Sequence, residues 1–328
     1  MKFIPGYCNT KSYLQLLLSC IFFFSCKKDM LYPQDSQEIV TGAKSDINGI
    51  LFINDSVGYI IGGEKYDSTL LMTTNDGGKT WIRFAYNGEH PKGVFGIAYD
   101  GKKVMAGGFE GRSYSPVGNS ADWEMRQMQN WDWIQNMTFS APNKGFLVTG
   151  EGYAFGRIYK FDTAFNVSLV DTFAYQLSDI AFANEQIGYA CGYGAVLKTT
   201  DGGNSWQLQD IQGDFYKSLS VMDAENIWAV GYNGSIIHTA DGGKHWEKQR
   251  NGDNPLISKY RFRDVVFKNK EIGYAAGDKG LIVKTVDGGI HWSLFKEVTN
   301  EDLKCITLKS DGSLWIGGSN GFVLHITE

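Results

Sequence analysis

The chain has 328 residues, a formal net charge of −5 and 43% hydrophobic residues, a balance that excludes a basic nucleic-acid footprint and fits a globular domain. Forty glycines against six prolines, with 14% aromatics and no long amphipathic helical period, point to short strands joined by tight turns. The class this implies is all-β.

The first element in chain order is a sorting signal. Lys2 and Lys11 supply positive charge around an apolar run from Leu14 to Phe24, interrupted only by Gln15, Ser19 and Cys20. That run is short of the roughly 20 residues a permanent membrane helix needs. It ends in Phe23-Phe24-Ser25-Cys26, followed by Lys27-Lys28-Asp29. A small residue before a cysteine, with polar sequence after it, resembles a lipobox, and the resemblance implies cleavage before Cys26 and acylation of that residue. The rival site, Cys20, would leave Ile21 to Phe24 exposed. The expected organisation is a signal peptide over residues 1–25, a lipidated tether over 26–37 and a folded domain over 38–328. It places the protein on the membrane as a lipoprotein, periplasmic or at the cell surface, attached through the lipid alone. An ordinary secretory signal would put it on the same side. Cys191 and Cys305 lie outside this region, each in an expected buried strand. They are read as small buried hydrophobes, with no disulfide framework implied.

Beyond the tether the chain repeats. An octad Thr-x-Asp-Gly-Gly-x-x-Trp occurs at Thr74–Trp81, Thr199–Trp206, Thr239–Trp246 and Thr285–Trp292. The long first gap holds two degenerate copies, one at Trp123 and a weaker one at Asp162–Phe165. A separate signal is an alternating strand followed by an apolar run ending in glycine. Those glycines are Gly63, Gly108, Gly150, Gly192, Gly231, Gly277 and Gly318, spaced 39 to 46 residues apart. The strands before them begin near Ile47, Val94, Ile134, Ile180, Leu219, Val265 and Leu303. The glycines and the strands each count seven units, and a unit of this length with four short strands is the signature of a propeller blade. After Phe322–Ile326 the chain stops before a last outer strand. Residues 38–43 are the expected donor of that strand, closing blade seven and leaving no unpaired edge. A closed ring of this kind is expected to be monomeric.

The octad matches the Asp-box, or BNR, repeat in all four copies. Its chemistry is that of a hairpin turn between the third and fourth strands. The aspartate accepts backbone N–H bonds, glycine supplies positive φ, and the tryptophan starts the outer strand and buries apolar surface. Asp76, Asp201, Asp241 and Asp287, with Trp81, Trp206, Trp246 and Trp292, are therefore read as structural. His245 and His291 sit inside two boxes with no converging ligands nearby in sequence, so no metal and no cofactor is expected.

The combination of Gly-Tyr-x-x-Gly runs (Gly188–Gly192, Gly273–Gly277) with Asp-Gly-Gly-x-x-Trp turns resembles the seven-bladed propellers typified by the photosystem II assembly and stability factor of cyanobacteria and plastids. The resemblance covers roughly residues 38–328. It implies a binding and assembly role on a protein partner, without catalysis, and nothing in the sequence marks a photosynthetic partner. The alternative is a carbohydrate-active propeller, either a glycoside hydrolase or a glycan-binding protein. Against a sialidase, the early Arg-Ile-Pro motif is missing, and Arg157-Ile158-Tyr159 comes late and without proline.

Propeller ligands usually meet the face opposite the box turns. The loops expected there carry Glu64, Lys65, Tyr66, Phe109, Glu110, Arg112, Glu151, Tyr153, Tyr193, Tyr232 and Asp278. The blade-to-blade connections add Trp131, Trp133, Lys217, Arg261 and Arg263. No catalytic residue is assigned. Aromatic and arginine side chains at loop tips are typical of protein interfaces and stack equally well on sugars. Acids on blades one to three and cations on blades five and six suggest a rim with two electrostatic halves.

Overall fold

The structure, a computed structural model, describes residues 30–31, 35–118, 121–211, 213–295 and 298–327. The signal region and the expected acylation site Cys26 lie outside the described residues. Six of the seven sheets contain four antiparallel strands in chain order, the seventh takes its outer strand from the N-terminal side, and consecutive inner strands neighbour one another round to the first. The fold is a seven-bladed β-propeller.

The inner strands are Ile47–Phe52, Val94–Tyr99, Ile134–Ala141, Leu177–Phe182, Tyr216–Val221, Phe262–Phe267 and Leu303–Leu308. Three of them begin three residues before the expected positions. The second strands, such as Gly188–Gly192 and Gly273–Gly277, are buried along their whole length. They have a strand on each side and a blade against each face, so they read as continuous apolar runs rather than alternations. The closing glycine of the run has a steric cause. Gly277 pairs with Phe262, and a Cβ there would collide with the carbonyl of Arg261. Blade three departs slightly, with Thr149 opposite Ile134 and Gly150 one residue later.

There is no single core. Buried side chains form separate clusters between successive blades, including one between blades seven and one that joins Trp315 and Cys305 to Ile47, Ile60 and Met72. Blades five and six meet over Trp228, which stacks on Phe267 with 3.7 Å between ring centroids. Cys191 and Cys305 are free and buried.

The box turns are hydrogen-bonded as their sequence implies. The Asp76 carboxylate accepts from the Thr80 N–H (2.9 Å), the Thr80 hydroxyl (2.6 Å) and the Thr74 hydroxyl (2.8 Å). Asp201 is held alike by Ser205 and Thr199. His245 and His291 take the place of that Thr80 or Ser205, each bringing ring Nδ1 within 2.6–2.7 Å of Asp241 or Asp287 as well as donating its N–H. These bonds hold the Asp76 carboxyl, bonded first by the Thr80 side chain, down at about 2, and that of Asp287, bonded by the His291 backbone, also at about 2. Trp81, Trp206 and Trp292 stand edge-on to Phe52, Phe182 and Phe267, the last residues of their own inner strands. The second glycine of the box faces the preceding blade: Gly203 has φ +76°, and a Cβ there would strike Phe146. Each box therefore ties its own turn and seats its blade on the one before. The degenerate copies keep parts of this. Trp123 begins the outer strand Trp123–Gln127, and Asp162 accepts N–H bonds from Ala164 and Asn166.

Blade seven is closed by Asp35–Glu38, antiparallel to Val323–Thr327. This corrects the expected donor, residues 38–43, of which only Glu38 lies in the strand. Ile39 adds one more N–H bond, to the Val323 carbonyl. All four closing residues are exposed, so an outer strand needs no apolar pattern. Met30–Leu31, expected within the tether, instead pairs in parallel with Ser293–Phe295 and adds a fifth strand to blade six. Leu31 packs against the cluster between blades six and seven.

Candidate functional site

A β-bulge recurs at the second residue of every inner strand, since the pairing register shifts between the first and third residues in all seven blades. The bulged residues are Asn48, Phe95, Gln135, Ser178, Lys217, Arg263 and Lys304. A bulge re-aims its side chain, and here all seven line one cavity of about 570 Å³ at the mouth of the central channel. The composition round the ring is uneven. Blades one to four contribute neutral groups, and blades five, six and seven contribute three consecutive cations.

The third residue of each inner strand makes a second ring, Gly49, Gly96, Asn136, Asp179, Ser218, Asp264 and Cys305, which ties the blades together. Asn136 donates to Asp179 (2.5 Å), and Asp179 accepts the Leu219 N–H of the next blade (2.7 Å). Ser218 donates to Asp264 (2.5 Å), and Asp264 accepts the Ile306 N–H of blade seven (2.8 Å). Asn48 bonds the Val94 carbonyl (3.0 Å), and Lys304 pairs with Asp46 across the closing interface. Burial raises the carboxyl of Asp179 and pushes that of Asp264 up to about 7. Burial, with repulsion from Arg263, brings Lys217 down to about 8.

Above the bulge ring lie two aromatic–cation groups. In the first, Lys65 Nζ sits 4.4 Å from the Trp133 ring centroid, 4.8 Å from Phe109 and 5.0 Å from Tyr66, and pairs with Glu151. In the second, Tyr153, Tyr193, Phe215 and Tyr232 form a chain of rings with centroids 5.2–5.7 Å apart. Lys217 lies 4.7 Å over Phe215, and Arg263 bonds both the Tyr232 hydroxyl (2.7 Å) and Asp278 (2.6 Å).

Of the residues expected on the rim, Trp133, Glu151, Tyr153, Lys217, Tyr232 and Arg263 converge on the channel mouth. Phe109 packs against Trp133, Tyr66 against Phe109, and Tyr193 against Tyr153. Arg261 and Asp278, with Tyr232, line an adjoining cavity of about 1300 Å³ beside blades five and six. Trp131 is 68% exposed. Arg112 bonds the Tyr86 hydroxyl and the His90 carbonyl and so holds the connection after blade one. Glu64 accepts from Ser68. Glu110 and Glu151 both lie in ion pairs, with Lys92 (3.1 Å) and Lys65, so these acids of blades two and three carry their own counter-charges. Phe95, Phe215, Asp179, Asp264 and Lys304 were not expected at the site. The signal that marks them is their fixed offset from the start of the inner strand, which is legible only once the bulge is known. Among the described residues no group of three His, Cys, Asp or Glu is placed to hold a metal ion.

A family model described as photosynthesis system II assembly factor YCF48 matches residues 159–254 and 211–280. Among solved structures, YCF48 bound to D1 peptide superposes with a TM-score of 0.74 at 17% identity, covering 91% of this chain and 99% of that chain. YCF48 from Cyanidioschyzon merolae gives 0.68 at 16% identity, covering 89% and 98%. The WD40 repeats of RRP9 give 0.70 at 13% identity, covering 91% and 99%, so the overall shape is shared well beyond one family. No curated protein matches the chain in sequence. The chain is a seven-bladed Asp-box propeller that resembles the YCF48 assembly factors.

Proposed function

We propose, starting from that resemblance, that this chain is a non-catalytic binding propeller which captures a segment of a partner polypeptide at its channel mouth. The same reading sets it outside the cytoplasm, anchored by acylated Cys26. The observation that carries the proposal is the convergence of seven bulged residues and two aromatic–cation groups on one mouth of about 570 Å³. Rings held rigidly beside cations offer low-entropy contact area to a peptide. One solved relative carries a D1 peptide on this fold, which supports a peptide as the class of ligand. Extended chain suits the mouth because the bulge ring offers side-chain amide, hydroxyl and ammonium groups to peptide carbonyls.

The test is site-specific photo-crosslinking in intact membranes from Tyr153 on the rim and from Lys244 on the box face, with captured peptides identified by mass spectrometry. The expected result is a discrete partner from Tyr153 only, lost in the Lys217→Glu, Arg261→Glu double variant while its melting transition is retained. Equal capture from both faces, or capture untouched by the double variant, removes the mouth as the site.

A second reading, carbohydrate binding or hydrolysis at the same mouth, draws on the stacked rings and on Asp264, whose carboxyl is pushed up to about 7 at the cavity wall. Against hydrolysis, both oxygens of Asp179 and of Asp264 accept hydrogen bonds from neighbouring strands. Those acids hold blades together rather than face one another across a substrate. Binding on a glycan array in place of peptide capture would favour the second reading.

A further inference from the structure

The four boxes share their framework but differ at the two variable turn-tip positions. Three of them place Asn75 and Lys79, Thr200 and Asn204, or Ala240 and Lys244 there. Blade six alone places two large aliphatic residues, Val286 and Ile290, which are 65% and 74% exposed. The turn is rigid. Thr285, Asp287 and His291 bond one another, and the Gly288 N–H bonds the Glu271 carbonyl of the hairpin beneath (2.9 Å). Exposed aliphatic side chains on a fixed turn lose apolar contact with nothing gained in return, unless something apolar covers them. Lys268 and Lys270 project from the same end of the same blade, and both are exposed.

The chain's own N-terminal segment arrives at this blade. Met30–Leu31 runs parallel to Ser293–Phe295, with Met30 opposite Leu294. That outer strand leaves the box turn and runs toward the channel-mouth face. A parallel neighbour therefore enters from the box face, so the described strand begins, at Met30, on the side of the tip that carries Val286 and Ile290. Cys26 is four residues before Met30, a span of at most about 14 Å of extended chain. Lys27 and Lys28 follow it directly.

From this placement we propose that the blade-six box turn is the membrane-contacting edge of the propeller. Val286 and Ile290 rest in the interfacial layer of the bilayer that holds the acyl chains of Cys26. The inference rests on the acylation reading above and extends it from attachment to orientation. A four-residue lead does not let the ring tumble freely over the surface, so the anchor and the apolar tip act as two linked contacts, with the exposed Lys268 at the same end of the blade facing anionic headgroups. The channel mouth, at the opposite ends of the strands, then faces away from that bilayer and is open to a segment presented from the aqueous side.

The experiment uses the purified acylated protein in vesicles of phosphatidylethanolamine and phosphatidylglycerol. An environment-sensitive dye is attached in separate preparations to Ile290→Cys and to Leu256→Cys. Leu256 is 91% exposed on the connection between blades five and six, at the opposite face, and the two native thiols of the ring are buried. The expected result is a blue-shifted spectrum and quenching by spin-labelled lipid at position 290, with neither at 256. Quenching at both positions, at 256 alone or at neither overturns the proposal. So does an unmodified Cys26 in the mass of the N-terminal peptide, which separates failure of the anchor from failure of the orientation. Crosslinking at Tyr153 in the same vesicles reports on peptide capture independently.

Discussion

Lys217→Met probes the channel mouth directly. In the native ring the ammonium sits 4.7 Å over Phe215, 5.4 Å over Tyr232 and 3.4 Å from the Ser178 hydroxyl. Among the described residues no carboxylate lies within ion-pair distance of it. Burial and repulsion from Arg263 bring it from 10.5 down to about 8. The folded state thus holds this proton less tightly than the unfolded chain does. The charged lysine costs stability at every pH below about 8, and the cost fades as pH rises from about 8 toward 10.5. At roughly 1.4 kcal/mol per pH unit that interval is worth about 3 kcal/mol. Solvent access at the mouth and the facing rings reduce it to about 1–2 kcal/mol. Methionine keeps the unbranched stem and its contact with the rings while removing the charge. The expected outcome is a variant more stable than the native chain by that amount at pH 7, with the gap closing by pH 10, read by urea denaturation followed through tryptophan fluorescence. The same variant should capture partner less well, since a destabilising group kept at a mouth is kept for binding. A methionine variant that is less stable at pH 7, or a gap that stays constant to pH 10, would refute the account of Lys217 as a desolvated cation.

Asp264 has the opposite sign. Its folded value of about 7 stands above the ordinary 3.8, so the stability of its protonated form is full below 3.8 and is lost as pH rises to about 7, and Asp264→Asn should flatten the fall in stability across that interval. Gly277→Ala places a Cβ against the Arg261 carbonyl and should cost about 3 kcal/mol, whereas at Gly194 a Cβ meets open space and the same change should cost only the roughly 1 kcal/mol strain of its φ of +70°; equal melting temperatures would sink the steric argument. Thr199→Val removes the hydroxyl that accepts the buried Gly203 N–H (2.9 Å) and should cost about 1–3 kcal/mol by denaturation. Deleting residues 1–38 strips the closing strand from blade seven, and the first proteolytic cut should then move to Val323–Thr327; an unchanged cleavage pattern would show that the clasp does not guard that edge.

Local chemistry made much of this fold readable in advance. Asp76, Asp201, Asp241 and Asp287 announce their turns because an Asx-type turn needs a carboxylate two residues beyond a threonine hydroxyl and glycine at positive φ, all within eight residues. Gly192 and Gly277 announce the ends of second strands because a neighbouring carbonyl occupies the space of a side chain. Those requirements are short in sequence and survive in the letters. The closing strand was less legible. Asp35–Glu38 is exposed on every side chain, so no apolar pattern marks it, and its register is set by Val323–Thr327 almost 300 residues away. The site was legible only in part for a related reason. Tyr153 stood out as an aromatic residue near a glycine loop, and Lys217 and Arg263 as basic residues in the blade connections, but Asp179 and Asp264 look like ordinary strand residues until the ring stacks blade upon blade.

The seven-fold repeat, the box turns and the all-β class followed from the sequence by itself, because each depends on contacts within one blade. The bulge ring, the belt of bonds between blades and the shifted carboxyl of Asp264 were decided only in the tertiary structure. They arise when inner strands some 40 residues apart close round a common channel, where proximity and desolvation are properties of the ring and of no single repeat.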